Sequence, residues 1–255
     1  MVSKEKFEEK RWQYWVRIAV IPIAVIPLLT ALIGAYISHK KIWPPDPPNS
    51  CTAAQDGSQA GWGPDRVTVG NGPYEFASQP SFNVDRENPV VGDERNFFGV
   101  KEGSYTDAGQ WASHLQVRPG ATYLFRTYMH NGANESPENI ARNTRLTIDL
   151  PTCAGTSIAV RSEISASNTV PDRVWSTVVL HSPVRFALEF VPGSGRLYNN
   201  AAPKRDGILG IPVPDRVATS DGVLIGSGAV LDGNFGGNYQ NVGYQTIEVR
   251  VVAAP

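Results

Sequence analysis

The sequence predicts an all-β fold: an antiparallel β-sandwich or jelly-roll-like domain behind a single N-terminal transmembrane α-helix. Three observations predict it. From Pro73 onward, short runs rich in β-branched and aromatic residues alternate apolar with polar and are separated by Gly, Pro, Asn and Asp clusters. Helix-period segments are almost missing from that region. Near the N-terminus, Ile18 to Ile37 forms an uncharged apolar run of twenty residues.

That run is long enough to cross the ~30 Å hydrocarbon core at ~1.5 Å per residue. Trp12, Tyr14 and Trp15 flank it on one side and Tyr36 and Trp43 on the other, where amphipathic rings favour the headgroup region. Pro22 and Pro27 would break a soluble helix but are tolerated, with a kink, in a membrane helix. Lys4, Lys6, Lys10, Arg11 and Arg17 precede the segment, and only Lys40 and Lys41 follow it closely, which places the N-terminus inside. A cleaved signal peptide is the competing reading, although the apolar run is long for one. Pro48-Asn49-Ser50 before Cys51 is no lipobox.

The expected organisation is a cytoplasmic basic and aromatic tail (1–17), a transmembrane helix (18–38), a Pro/Gly-rich linker (39–72) and an exported β-sandwich domain (73–255). Trp43-Pro-Pro-Asp-Pro-Pro-Asn opens the linker as an extended polyproline spacer, and Ala53 to Gly63 reads as flexible. Strands are expected at Thr122–His130, Thr144–Leu150, Ser157–Ile164, Val174–Leu180, Val184–Val191 and Tyr244–Val252. Shorter ones are expected around Phe97-Phe98, Trp111–Val117 and Val223–Ile225. In the last long run Ile247, Val249 and Val251 alternate with Glu248 and Arg250, as in a strand with one solvated face. Only Ser136–Asn143 looks helical, with serine at the cap and proline behind it. Pro-Asp-Arg-Val occurs at 64–67, 171–174 and 214–217, at intervals that match no repeat period and suit turns that open strands.

Charge limits the partners. The 255 residues carry 23 Lys and Arg against 24 Asp and Glu, and the excess of positive charge is confined to the N-terminal tail. The remainder is mildly acidic with no basic run, which argues against a nucleic-acid partner. The expected partners are the lipid bilayer and cell-wall or other envelope components. The only cysteines, Cys51 and Cys153, would form one disulfide in an oxidising compartment, with a bridge between two chains or two free thiols as the alternatives.

No catalytic or cofactor motif stands out. Gly155-Thr-Ser157-Ile-Ala159 approximates a nucleophile elbow, but an elbow needs a helix after the serine and here a strand follows. His39, His114, His130 and His181 lack helical metal spacing, though His114 and His130 could meet across strands. Two acidic, Asn-rich loops offer oxygen ligands for calcium, with Asp85, Asp93, Asp232 and Asn234 as candidate ligands, yet the same residues also make turns. A Lys101 or Lys204 isopeptide crosslink is a further, weaker reading.

Asn88–Phe97, Tyr128–Asn131, Ile140–Leu146, Ser165–Asn168 with Val174-Trp175, Phe190–Ser194 and Leu231–Gly233 occur in an order that resembles an uncharacterised exported β-sandwich domain. That domain is found in actinobacterial and candidate-phylum bacterial surface proteins. The resemblance implies an extracytoplasmic β-sandwich and transfers no catalytic residue. The functional expectation is a membrane-anchored envelope protein whose domain is a binding or structural module, with the loops near Asn131–Glu138 and Asn199–Asp206 as its recognition surface. The alternatives are an envelope hydrolase using carboxylates and histidines from Asp85, Asp93, Glu94 and His130, or an accessory subunit of a membrane assembly.

Overall fold

The computed structural model describes residues 60–70, 75–103, 109–202 and 210–255. The expected cytoplasmic tail, membrane helix and most of the linker, with Cys51, lie outside the described residues. Within them the fold is all-β. Eleven strands form one sheet: β1 (Gly61–Gly63), β2 (Phe98–Glu102), β3 (His114–Gln116), β4 (Thr122–Met129), β5 (Arg145–Asp149), β6 (Gly155–Ser165), β7 (Arg173–Phe190), β8 (Arg196–Asn199), β9 (Ile211–Pro212), β10 (Val223–Leu224) and β11 (Gly243–Ala253). The main order is β10-β5-β6-β7-β11-β4-β2, with β1 and β3 added to β7, β8 to β11 and β9 to β8. Every pairing is antiparallel except β3 with β7, which runs parallel against the antiparallel expectation.

β11 follows its pattern: Ile247, Val249 and Val251 are buried while Glu248 and Arg250 are exposed. The sheet curls over one core in which Phe98, Val100, Phe125, Ile148, Ile158, Val178, Phe186 and Val249 are all buried. Each such side chain contributes about 1.5–3 kcal/mol of burial. Strands that are not neighbours in the sheet meet through this core. Thr127 Oγ1 lies 2.8 Å from Ser162 Oγ, linking β4 to β6, and the Phe98 N–H donates to Ser176 Oγ at 3.4 Å, linking β2 to β7.

β7 departs most from the sequence reading. Two strands, Val174–Leu180 and Val184–Val191, are expected, but one continuous 18-residue strand forms. Its register with β6 runs from Ser165↔Arg173 to Ser157↔His181 and then slips, so that Gly155 faces Phe186. Pro183 falls inside this slip, where no ladder N–H is required of it. Beyond the slip, β7 pairs with β11 from Phe186↔Ala253 to Phe190↔Val249. The irregularity therefore lets one strand serve two parts of the sheet.

The chain also joins the sheet earlier than its composition suggests. Gly61–Gly63, assigned to the linker by composition, forms β1 against Trp175–Thr177 of β7. A Cβ on Gly63 would sit 2.6 Å from the Trp175 ring, so only glycine lets the two surfaces meet. The expected helix at Ser136–Asn143 shortens to a single 3-10 turn, Pro137–Asn139, behind Ser136 as cap. Gly243 at the start of β11 pairs with Met129 at the end of β4. The segment leaving β4 and the segment entering β11 therefore emerge from the same end of the sheet, and together they build the site.

Candidate functional site

The loop after β4 and the long loop before β11 enclose a groove of about 460 Å³. One wall is Glu135, Ser136, Pro137 and Ile140; the other includes Ser227, Asp232 and Asn234, with Gly236 and Gly237 also lining it. The loops are joined by backbone. Ala141 and Phe235 exchange both hydrogen bonds at 2.9 Å, and the Asn238 N–H donates to the carbonyls of Asn131 at 3.1 Å and Ala133 at 2.7 Å. A Cβ on Gly237 would lie 2.5 Å from the carbonyl oxygens of Ala133 and Asn134, so this close crossing requires glycine.

Asn131 holds the two loops together. Its buried amide donates to the Asn139 carbonyl at 2.8 Å and the Phe235 carbonyl at 3.2 Å, and its Oδ1 accepts from the N–H groups of Ser81 and Ala133, each at 3.3 Å. Behind it, the Phe82 and Phe235 rings pack edge to face at 5.5 Å. From the far side, Asn199 Nδ2 donates to the Gly228 carbonyl at 2.8 Å. The groove is thus walled by hydroxyls, amides and peptide groups, with Pro137 and Ile140 as an apolar strip and two carboxylates, Glu135 and Asp232. Such a surface suits a small polar ligand with both hydroxyl and C–H faces.

Beside these loops lies a buried polar cluster. Glu94 accepts from Asn88 Nδ2 at 2.7 Å and from the Asp85 N–H at 3.2 Å, and His130 Nδ1 lies 2.9 Å from its carboxylate. Glu94, Asp85 and His130 are almost completely buried. Tyr239, from the loop that also carries Gly236 and Gly237, stacks on the His130 ring at 4.3 Å and donates its hydroxyl to Asp85. Burial, then the bond to Asp85, pushes the Tyr239 phenol well above its usual range. Burial, then the Glu94 carboxylate, does the same to Tyr128, whose hydroxyl accepts from Asn88 Nδ2 at 3.1 Å. Both phenols therefore stay protonated as donors.

The expected calcium candidates occupy different structures. Asp85 belongs to the buried cluster. Asp93 caps the 3-10 turn Glu94–Asn96 and pairs with Arg95 at 2.6 Å. Burial raises its pKa, but the Arg95 hydrogen bonds outweigh this and hold the carboxyl below its usual range. Asp232 accepts from the Asn234 N–H and Nδ2 within its own loop. Among the described residues no group of three His, Cys, Asp or Glu is arranged to hold a metal ion.

Of the four residues expected for a hydrolase, Asp85, Glu94 and His130 come together, while Asp93 turns to Arg95. His114 does not meet His130: its ring stacks on His181 at 5.8 Å, because β3 lies beside β7 and away from the end of β4. Ser157 lies within β6, as a strand rather than an elbow requires. Lys101 is buried with its Nζ 4.9 Å above the Trp111 ring, and Lys204 lies outside the described residues. Cys153 follows β5 and is not a free thiol. Asn131, Asn88, Tyr128 and Tyr239 carry the arrangement, and none of them is singled out as a site residue by the sequence; Asn131 enters there as part of the Tyr128–Asn131 stretch and as the start of a candidate recognition loop.

No family model, curated protein or solved structure matches the chain.

Proposed function

We propose that this chain is a single-pass cell-envelope protein, N-terminus cytoplasmic, whose β-rich unit is an extracytoplasmic sandwich acting as a binding module. Its ligand site is the groove between the loop after β4 and the loop before β11. The observation that carries this reading is the construction of the groove: two loops from one end of the sheet, cross-linked through Asn131 and Gly237, hold open about 460 Å³ lined by hydroxyl, amide and carboxylate groups. A preformed, polar concavity of that kind favours recognition of hydroxyl- and amide-bearing envelope material such as cell-wall polymer. The sandwich assignment is supported by the Thr127–Ser162 and Phe98–Ser176 contacts between strands that are not paired.

The tether rests on the apolar run Ile18–Ile37 and its basic N-terminal flank. A Cys51–Cys153 bridge completes the reading, tying the membrane-proximal segment to the domain. Protease shaving of intact cells tests this location. Release of peptides from 60–255, with Cys51 and Cys153 crosslinked under non-reducing conditions, is the expected result. A domain protected until lysis contradicts it.

A second reading, an envelope hydrolase, is favoured by the gathering of Asp85, Glu94 and His130 under Tyr239. It requires a scissile bond to reach His130 past the tyrosine ring. Hydrolysis of envelope glycan or peptide that is lost in Glu94→Gln would establish it.

A further inference from the structure

Three adjacent strands bring two histidines and a serine onto one face of the sheet. β3 runs parallel to β7 with His114 opposite Val179 and Gln116 opposite His181. Residues two apart on a strand share a face, so His114 and His181 are diagonal neighbours. Across the other edge of β7, Ser157 of β6 is the register partner of His181. The two imidazoles lie 5.8 Å apart between centroids and within 3° of parallel. Ser157 Oγ is 3.1 Å from His181 Nδ1. His114 is exposed, His181 half-buried and Ser157 buried.

We propose that His114 and His181 form a two-histidine site for a borderline transition-metal dication, copper(II) in preference to zinc(II), with Ser157 orienting His181. Imidazole nitrogen is the ligand these ions favour, and copper(II) stands above zinc(II) in the affinity order. At metal–nitrogen distances of ~2.0–2.1 Å, the two ligating nitrogens must approach to about 2.9 Å at adjacent positions of copper(II)'s tetragonal geometry. Binding requires the His114 ring to turn about its side-chain torsions out of the parallel stack, and its exposure leaves it room to do so. In the metal-binding tautomer, His181 Nδ1–H donates to Ser157 Oγ and leaves the Nε2 lone pair for the metal, the usual second contact of a ligating histidine. No third His, Cys, Asp or Glu among the described residues completes the set, so water fills the remaining positions and binding is reversible.

The test is a copper(II) titration of the full chain in detergent, followed by electron paramagnetic resonance, with His39→Gln as the background to remove the histidine beside the apolar run. The expected result is one copper(II) per chain with nitrogen hyperfine coupling. Its affinity should fall about tenfold or more in H114Q and in H181Q, and about tenfold in S157A. H114Q alters an exposed side chain and leaves the core intact, so its result stands even where H181Q perturbs folding. Copper(II) binding that is equal in the parent and in H114Q, or no nitrogen-coupled copper(II) in the parent, overturns the proposal.

Discussion

Tyr239 lies on the face of His130, ring centroids 4.3 Å apart, while its hydroxyl bonds to Asp85 and so closes the buried Asp85–Glu94–His130 cluster from outside. One side chain thus links the groove-forming loop to the polar interior.

Replacing Tyr239 with Phe keeps the stacked ring and removes the donor to Asp85, a carboxylate that is fully buried. The expected loss is about 1–3 kcal/mol, the penalty for a buried acceptor deprived of its partner. Urea unfolding of the variant measures it directly.

Asn131→Asp should cost more than removing a single hydrogen bond. The substitution deletes both donors, to Asn139 and Phe235, and puts a carboxylate in a buried position. A loss of at least about 2 kcal/mol follows. Hydrogen exchange should rise in both groove loops, at 133–141 and 233–238, before it rises in β4 or β11.

Phe235→Ala removes one ring of the edge-to-face pair with Phe82 and empties a fully buried position beneath the groove. Calorimetry should register a destabilisation of about 3–5 kcal/mol.

His181 should titrate below the ordinary imidazole value of about 6.5, because burial and then His114 disfavour its charged form. A group with a lowered folded-state value contributes its stability fully above the unfolded value, and that contribution is lost as pH falls through the folded one. His114→Ala should move the His181 midpoint upward but only part of the way, since burial is the larger cause. NMR titration of the imidazole resonances reads both values.

Much of the sheet is legible in the sequence because local pattern and tertiary burial agree. Ile247, Val249 and Val251 against Glu248 and Arg250 announce β11, and the structure buries the first set. β7 is not legible, because Pro183 ends a strand by every local rule and is absorbed only by a register slip that depends on β6 and β11. The three Pro-Asp-Arg-Val copies make the same point. The first supplies the buried Arg66, whose Nε donates to the Asn83 carbonyl and whose pKa burial lowers to about 10. The second opens β7, and the third enters a 3-10 turn. At the site, Asp85, Glu94 and His130 are visible as candidates by residue type alone. Tyr239 is not, because its partner Asp85 is 154 residues away and nothing near either residue encodes the contact.

The central claim is that the groove binds envelope material, and Gly228→Trp tests it most directly. Gly228 is exposed, lines the groove and has no atom within 4 Å of an added Cβ, so the groove wall accommodates an indole there, and its bulk should obstruct the groove. Wild-type full chain in detergent should co-sediment with purified cell wall, while the variant should stay in the supernatant at an unchanged melting temperature. Equal sedimentation of the two proteins would contradict the account.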